Sequence, residues 1–202
     1  MNNSKKNLIL IGGGGHCVSV IDVIEQQGLF NIKGILDSNS KNKNILGYPI
    51  LGGDDLISKL VNKNTFFLIT VGQIKSSKIR EKIAKNLKRN NAKLATVVSS
   101  RSYVSKHSFI GEGTIIMNGA IVNANAKVGT NCILNTKSNI EHDVSVGDFC
   151  HISTGAIVNG NSRIGKGTFI GSNSTISNNI HLEDNSIISA GKFIKFSSIP
   201  KQ

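Results

Sequence analysis

An aliphatic residue recurs at every sixth position through the second half of the chain, and this period constrains the fold more than any other feature. Seventeen successive positions follow it without a break. The residue two positions earlier is usually Ser, Thr, Ala or Cys, and Gly often comes directly after the aliphatic residue. The positions are Val98, Val104, Ile110, Ile116, Val122, Val128, Leu134, Ile140, Val146, Ile152, Val158, Ile164, Ile170, Ile176, Leu182, Ile188 and Ile194.

This period fits neither common secondary structure, because an amphipathic helix repeats about every 3.6 residues and a strand about every two. Six-residue repeats are typical of a parallel β-helix, in which short strands joined by tight turns stack one inward aliphatic residue per turn. Three repeats close one triangular coil of about 18 residues, so residues 99–196 predict about five coils.

The three cysteines indicate packing rather than chemistry. Cys132 and Cys150 occupy the small inward position of the repeat, one coil apart, and a buried free cysteine behaves as a small hydrophobe. With Cys17 the number is odd and the spacing fits no metal site, so we expect reduced thiols, no metal and a cytoplasmic location. No apolar run is long enough to cross a bilayer, and Met1 to Lys6 show no secretory signal.

The first half predicts a small α/β unit. The predicted elements are strands Asn7–Ile11, Ile32–Leu36 and Phe66–Val71, a helix Val18–Gln26, and a second helix after Ser76 or Ser77 that carries Ile79, Ile83 and Leu87. Lys93 to Val98 then leads into the coil. This order predicts a Rossmann-like parallel sheet over residues 1–95, followed by the β-helix over residues 96–202.

Four glycines, residues 12–15, follow the first predicted strand and precede His16. Such a turn lets backbone N–H groups approach phosphate or sugar. Cys17 replaces the third glycine of the dinucleotide fingerprint, and the unit is too small for a full dinucleotide domain, so we expect no NAD. Asp37 ends the second strand, where it either accepts hydrogen bonds from a ribose or base or serves as a turn residue.

The net charge of +12 lies mostly in the first half, where 15 basic residues face 6 acidic ones. This excess either attracts anionic ligands such as nucleotides or forms a solvated helix face. Aromatic residues make up only 5% of the chain, and no nucleic-acid-binding motif accompanies the charge. Nucleic-acid binding is therefore not expected.

The most distinctive polar cluster is Glu141-His142-Asp143, at a predicted corner of the coil. A carboxylate paired with an imidazole fixes its tautomer and raises its basicity, which suits a general base. Asp143 is the preferred partner and Glu141 the alternative, while a solvated surface cluster is the non-functional interpretation. His151 follows half a coil later, beside Cys150, and His107 and His181 are interpreted as structural.

Two motifs together resemble a known family. They are G-G-G-G-H after the first strand and N-T-x-x-x-I-E-H-D-x-x-x-G-D-x-x-H-I-S over residues 135–153, within a hexapeptide coil. The chain resembles the bacterial sugar acyltransferases, which include the UDP-4-amino-sugar N-acetyltransferases of bacillosamine synthesis and the sialic acid O-acetyltransferases. The resemblance covers nearly the whole chain. It implies a left-handed β-helix, acetyl-CoA as cosubstrate, and a homotrimer with active sites between subunits.

The resemblance also implies roles for individual residues. His142 matches the general base and Asp143 the acid bonded to it. Asn135 matches a residue near the acceptor, and Gly14, His16, Asp37 and Gly72 match the nucleotide-sugar pocket. His151 matches a contact to the thioester region of acetyl-CoA, and Gly160, Ala190 and Gly191 match backbone contacts to its pantetheine arm.

Three positions depart from the family pattern. Ser38 stands where many members carry a second acid, and Val71-Gly72-Gln73 replaces a commoner Gly-Asn or Gly-Asp. Ile199-Pro200-Lys201-Gln202 stands where many members carry a V-G-x-P-A-K loop that contacts adenine. These differences concern the identity of the nucleotide or sugar and the adenine contact.

Three functional hypotheses follow. The first is N-acetylation of a nucleotide-linked amino sugar, favoured by the α/β unit and the basic balance. The second is O-acetylation of sialic acid or a related nine-carbon sugar, which uses the same parts. The third is a non-enzymatic trimeric scaffold, against which the Glu-His-Asp cluster and His151 argue.

Overall fold

The structure is a computed structural model that describes residues 5–197. The contacts divide these residues into two compact units. The first holds residues up to 72 together with 78–97, and the second holds residues 73–77 together with those from 98 onward. The sequence-based domain limits, 1–95 and 96–202, remain a prediction beside this division. The segment Ile199-Pro200-Lys201-Gln202, to which the adenine contact was referred, lies outside the described residues.

The first unit is a six-stranded sheet with helices. Its strands are β1 (Lys6–Ile11), β2 (Phe30–Leu36), β3 (Asn44–Ile45), β4 (Tyr48–Gly52), β5 (Thr65–Ile69) and β6 (Lys93–Leu94). Its helices are α1 (Gly15–Gln27), α2 (Ile57–Leu60), preceded by a 3₁₀ turn (Asp54–Leu56), and α3 (Lys78–Arg89). The strand order is β3-β4-β2-β1-β5-β6, and β1, β2, β4, β5 and β6 pair in parallel. The predicted parallel sheet is confirmed.

The sequence did not predict the antiparallel pair of β3 with β4. Leu46 and Gly47 join these strands, and both have positive φ angles, 48° and 84°. A two-residue hairpin of this kind needs positive φ at both positions, and Asn-Gly is its usual sequence signal. Leu46 stands where Asn is usual, so the sequence lacks this hairpin signal.

The predicted buried face of α3 was partly wrong. Ile83 and Leu87 are buried, but the side chain of Ile79 is 65% exposed. Arg80 is buried in its place, and its Nη1 donates to the carbonyls of Ile69 and Val71 at 3.1 and 2.6 Å. The charged head thus satisfies carbonyl groups at the end of β5 that would otherwise be costly to bury.

The second unit is a left-handed parallel β-helix, as predicted. Its three stacked sheets are called face 1, face 2 and face 3. Face 1 holds β7 (Val97–Val98), β10 (Ile115–Ile116), β13 (Ile133–Leu134), β16 (His151–Ile152), β19 (Phe169–Ile170) and β22 (Ile187–Ile188). Face 2 holds β8 (Tyr103–Val104), β11 (Ile121–Val122), β14 (Asn139–Ile140), β17 (Ile157–Val158), β20 (Thr175–Ile176) and β23 (Phe193–Ile194). Face 3 holds β9 (Phe109–Ile110), β12 (Lys127–Val128), β15 (Ser145–Val146), β18 (Arg163–Ile164) and β21 (His181–Leu182).

The period-six aliphatic residues are the second residues of these strands and form one continuous core. Cys132 and Cys150 are fully buried in that core, as predicted, and their thiols donate to the carbonyls of Gly147 and Gly165 at 3.1 Å each. A hydrogen bond with Cys132 and burial raise the pKa of the Cys150 thiol. These thiols serve packing.

The turns add a second period of six. The second residue of each turn from 113 to 191 has a positive φ, and at most of these positions it is Gly, Asn or Asp. Those residue types tolerate the left-handed conformation best. Lys137 and Phe149 are the exceptions, with φ angles of 57° and 56°. This regular turn fixes where the two turn side chains of every repeat lie.

Candidate active site

His142 and Asp143 are the two residues of the turn that follows β14. Asp143 takes the left-handed position with a φ of 62°. Nδ1 of His142 lies 2.8 Å from Oδ2 of Asp143, and Nδ2 of Asn125 donates to the other oxygen, Oδ1, at 2.6 Å. These hydrogen bonds from His142 and Asn125 lower the pKa of Asp143 below its ordinary value. Since the ionised carboxylate only accepts, Nδ1 of His142 carries a proton and Nε2 is left as the basic atom.

Glu141, the alternative partner of His142, is engaged elsewhere. Its two carboxylate oxygens accept from Nδ2 of Asn139 at 2.8 Å and from Nδ2 of Asn123 at 2.9 Å. The structure therefore pairs His142 with Asp143, the preferred of the two predicted partners. The side chain of His142 is 62% exposed, so its ring is open to a substrate.

Gly160 lies one coil above His142. A Cβ at this position would fall 2.7 Å from Cε1 and 2.8 Å from Nε2 of the His142 ring. Only glycine leaves the ring where it is, so Gly160 sets its position. Within the described residues, the N–H of Gly160 bonds to no other backbone group. The site thus combines a basic Nε2 with a nearby backbone donor.

A second histidine, His151 on β16, is buried with 7% of its surface exposed. Nε2 of His151 lies 3.1 Å from Nδ2 of Asn135, and Nδ1 lies 2.5 Å from the carbonyl oxygen of Gln73. The ring of Phe169, the next residue along face 1, packs edge-on against it at 5.3 Å. The structure brings the predicted residues Asn135 and His151 together.

The contact of Gln73 with His151 was missed, because sequence analysis noted Gln73 only as a departure from the family pattern. Asn125 was also missed. The 18-residue coil could have found it, since Asn125 stands one coil before Asp143. No spacing rule could have found Gln73, which reaches His151 from 78 positions away along the chain.

In the first unit, the glycines of the loop after β1 differ in their surroundings. Gly12 has a φ of 102°, and a Cβ there would lie 2.4 Å from Cγ2 of Val71. A Cβ on Gly13 would lie 2.8 Å from Cδ1 of Ile45. Gly14 and Gly15 have no atom within 4 Å of such a Cβ. Packing therefore explains the first two glycines and leaves the second two open to a ligand.

The other predicted pocket residues of the first unit lie around this loop. Oδ2 of Asp37 accepts from the N–H of Gly13 at 2.7 Å, and Oδ1 accepts from the N–H of Asn39 at 2.9 Å. A Cβ on Gly72 would lie 3.7 Å from Cβ of His16. Gly14, His16, Asp37 and Gly72 thus gather where parallel strands end, the usual ligand edge of such sheets. Asp37 also shapes the loop itself, as expected of a turn residue, and its hydrogen bond to a ribose or base stays a prediction.

Ala190 and Gly191 form the turn after β22, and both are exposed. Gly191 takes the left-handed position with a φ of 67°, and its N–H donates to the carbonyl of Ser172 at 2.9 Å. They lie at another corner of the coil from His142. Among residues 5–197, no group of three His, Cys, Asp or Glu side chains is placed to hold a metal ion. No helix of that range is both long and apolar enough to span a membrane.

Comparisons with known proteins match both units. Residues 7–87 match the model of the PglD N-terminal domain, and residues 162–195 match the hexapeptide repeat of succinyl-transferase. The acetyltransferase domain of PglB from Neisseria gonorrhoeae is 27% identical, with a TM-score of 0.90 over 97% of this chain and 94% of that one. The resemblance to the bacterial sugar acyltransferases is confirmed. No curated protein matches the chain.

Two further solved structures share this architecture. The same PglB domain in complex with acetyl coenzyme A is 28% identical, with a TM-score of 0.87 over 95% of this chain and 93% of that one. A mutant of perosamine N-acetyltransferase from Caulobacter crescentus, in complex with CoA and GDP-perosamine, is 23% identical. It has the same fold, with a TM-score of 0.88 over 95% of this chain and 89% of that one.

Proposed function

We propose that this chain is an acetyl-CoA-dependent N-acetyltransferase that acts on the amino group of a nucleotide-linked 4-amino sugar. The observation that carries the proposal is the exposed His142 ring, held at Nδ1 by Asp143 and positioned by Gly160. The similarity to the PglB acetyltransferase domain and its acetyl coenzyme A complex supports the cosubstrate. The fold shared with an enzyme that binds GDP-perosamine supports a nucleotide-linked amino sugar.

In the proposed reaction, the amine nitrogen attacks the thioester carbonyl carbon of acetyl-CoA. Nε2 of His142 removes a proton from the nitrogen, and Asp143 stabilises the imidazolium that forms. The N–H of Gly160 donates to the oxygen of the tetrahedral intermediate. The C–S bond then breaks, and the CoA thiolate leaves with the proton that His142 returns. The products are the acetamido sugar and CoA.

Direct transfer suits the thiols of this chain. An acyl-enzyme formed on cysteine needs a reactive thiolate, which an exposed, electropositive setting favours. Cys132 and Cys150 instead lie in the core with their thiols on carbonyl oxygens, and the pKa of Cys150 is raised. Burial also raises the pKa of Cys17, which is fully buried in the first unit. None of these settings favours a covalent intermediate.

The loop of the first unit supports the nucleotide-sugar part of the proposal. The N–H groups of the first turn of α1 point toward the loop, and Gly14 caps this helix with no side chain in the way. Such a helix start favours an anionic group. We propose that the diphosphate of the nucleotide sugar binds at Gly14, with His16, Asp37 and Gly72 around the sugar or ribose.

We also propose that the chain forms a homotrimer through face 2. The outward residues of this face are uncharged: Tyr103, Ile121, Asn139, Ile157, Thr175 and Phe193. Face 3 by contrast presents Lys127, Arg163 and His181 beside Phe109 and Ser145. Tyr103 and Phe193 are 58% and 57% exposed in the single chain, which is costly for aromatic side chains without a partner. His142 follows β14 of face 2 and would then lie at the subunit boundary.

The assay for this proposal follows CoA release from acetyl-CoA with three acceptors, a UDP-linked 4-amino sugar, a GDP-linked 4-amino sugar and CMP-linked sialic acid. We expect turnover with an amino sugar and none with the sialic acid. His142→Ala should lower the turnover by about 10²–10⁴-fold, while His107→Ala, a change at another exposed histidine, should not. Turnover with the sialic acid alone would replace N-acetylation by O-acetylation. No CoA release with any of the three acceptors, and no thermal stabilisation by CoA, would favour the non-enzymatic scaffold.

Sedimentation tests the assembly separately. We expect a particle of three 21.6 kDa chains, and Ile121→Lys should shift it toward the single chain. Lys127→Ala on face 3 is the matched control. A wild-type protein that sediments as a monomer would contradict the trimer.

A further inference from the structure

Residues 73–77, called the strap, belong by their contacts to the β-helix, although the segments on either side belong to the first unit. Gln73 anchors the strap. Its side chain is 3% exposed, and Nε2 donates to the carbonyls of Phe149 and Gly167 at 2.7 and 3.3 Å. Two carbonyl oxygens can only accept, so the orientation of this amide is fixed. The strap is therefore held on two stacked turns of the coil.

The turns beneath the strap are adapted to it. Phe149 keeps a positive φ of 56° in a position where the turns one coil away on either side have Asn131 and Gly167. A Cβ on Gly167 would lie 2.9 Å from Oγ of Ser77 and 2.5 Å from Oδ1 of Asn185, so any other residue there would have to displace both side chains. The strap thus packs closely against the two turns that hold Phe149 and Gly167.

The strap determines the protonation of His151. The carbonyl oxygen of Gln73 lies 2.5 Å from Nδ1 of His151, and a carbonyl only accepts, so Nδ1 carries the proton. At the other end, the Asn135 amide is oriented by the N–H of Thr136, which donates to Oδ1 at 2.8 Å. Its Nδ2 therefore faces Nε2 of His151 and donates to it. Backbone groups at both ends therefore fix the donors and acceptors of the hydrogen bonds that run from Gln73 through His151 to Asn135.

We propose that Gln73 is a positioning residue that holds His151 as the neutral Nδ1–H tautomer, so that the Asn135 amide is presented as a hydrogen-bond donor. One Nδ2 hydrogen of Asn135 is used by His151, and the second is directed to a ligand oxygen at this half-buried residue. In the reaction and trimer proposed above, on which this last step rests, that oxygen is the carbonyl oxygen of an acyl group bound between Asn135 of one subunit and the His142 corner of its neighbour. His151 is then a fixed acceptor, not a base.

The first test is spectroscopic and needs no substrate. Protein with ¹⁵N-labelled histidine is studied by two-bond ¹H–¹⁵N correlation, and the His151 signals are assigned by their loss in His151→Asn. We expect a protonated, pyrrole-type Nδ1 and an unprotonated, pyridine-type Nε2 at neutral pH. A protonated Nε2, whether as the other tautomer or as imidazolium, would overturn the proposal.

The second test changes the anchor. Gln73→Met keeps the length of the side chain and the backbone carbonyl but removes both donated bonds. We expect the His151 signals to move toward an average of the two tautomers, and kcat to fall about tenfold, because small misplacements cost up to ~10²-fold. Ile74→Ala, at a 65% exposed strap residue, is the matched control and should change neither. An unchanged tautomer in folded Gln73→Met would refute the role of Gln73.

The two proposals can fail separately. If wild-type protein shows the expected tautomer but transfers acetyl to no sugar, the positioning stands and the proposed function falls. If the enzyme is active but His151 carries its proton on Nε2, the function stands and the positioning falls. Thermal melting of each variant separates both results from a loss of folding.

Discussion

The two histidines of the β-helix lie nine residues apart and meet opposite surroundings. His142 stands on a turn, is 62% exposed, and has an ionised carboxylate on Nδ1. His151 stands on a strand, is 7% exposed, and has a backbone carbonyl on Nδ1 and an amide on Nε2. Both carry the proton on Nδ1, yet only His142 leaves Nε2 open.

The difference shows that the partner of an imidazole, more than its tautomer, decides what it can do. A carboxylate stabilises the imidazolium, so His142 can take up a proton during a reaction. A carbonyl and an amide N–H cannot both satisfy an imidazolium here, because Nε2–H would face another donor. Burial disfavours the charged form further. His151 is therefore suited to orient a neighbour.

The largest expected effect comes from truncating each of the two histidines to alanine and comparing the variants. His142→Ala should lower kcat by about 10²–10⁴-fold, the usual contribution of a general base, while stability changes by no more than about 0.5 kcal/mol. His151→Ala should instead lower the free energy of unfolding by about 2 kcal/mol, since it strands the buried carbonyl of Gln73, at roughly 1–3 kcal/mol, and the half-buried amide of Asn135. Steady-state kinetics and urea unfolding measure the pair. Equal losses of stability in both variants would contradict the expectation that only His151 supports the fold.

A smaller effect is expected at the glycine that sets the exposed ring. Gly160→Ala would place a methyl group within about 3 Å of Cε1 and Nε2 of His142 and should turn the ring away. We expect kcat to fall by roughly 10–100-fold with the melting temperature little changed, since His142 can move into solvent. Asn178→Ala, one coil further in the same column of turns, is the control. An alanine variant with normal kcat would show that the ring position is not critical.

The regular parts of the fold could be predicted because one physical requirement repeats. Each coil must bury one aliphatic residue per face, so the period of six at Val98 to Ile194 defines the strands directly. The same coil of 18 residues places Asn125 beside Asp143 and Gly160 above His142. Adjacency left both Glu141 and Asp143 as partners of His142, and the structure decides for Asp143 because Asn139 and Asn123 engage Glu141.

The parts that could not be predicted depend on contacts without a period. Arg80 is buried in place of Ile79 because carbonyls at the end of β5 need a donor, and no pattern in α3 encodes that need. The β3–β4 hairpin lacks its usual turn residues. Gln73 binds His151 through its main chain, so its side-chain type gave no signal of this contact.

Lys137 lies in the turn next to Asn135, the partner of the buried histidine. It is exposed and has a φ of 57°. This conformation costs most residues roughly 1–2 kcal/mol and Asn much less. Lys137→Asn should therefore raise the free energy of unfolding by about 1 kcal/mol and leave kcat unchanged. The reverse change at a matched turn, Asn185→Lys, should lower stability by a similar amount. Urea unfolding of both variants gives the comparison, and a shift of the same sign in the two would contradict it.

The smallest expected effect concerns the carboxylate of the exposed histidine. Hydrogen bonds from His142 and Asn125 lower the pKa of Asp143 from its ordinary value of 3.8. A lowered pKa means that the folded state favours the ionised form, so its contribution to stability is present above pH 3.8 and is lost as the pH falls through the lowered value. Asp143→Asn should thus melt slightly below wild type at pH 5–7, and the two should converge in acid. Melting curves at stepped pH test this, with Asn125→Ala, which keeps the bond to His142, expected to give part of the difference. Because the side chain of Asp143 is 45% exposed and screened by solvent, a large gap, or one that widens in acid, would show that the carboxylate is held by something other than these two donors.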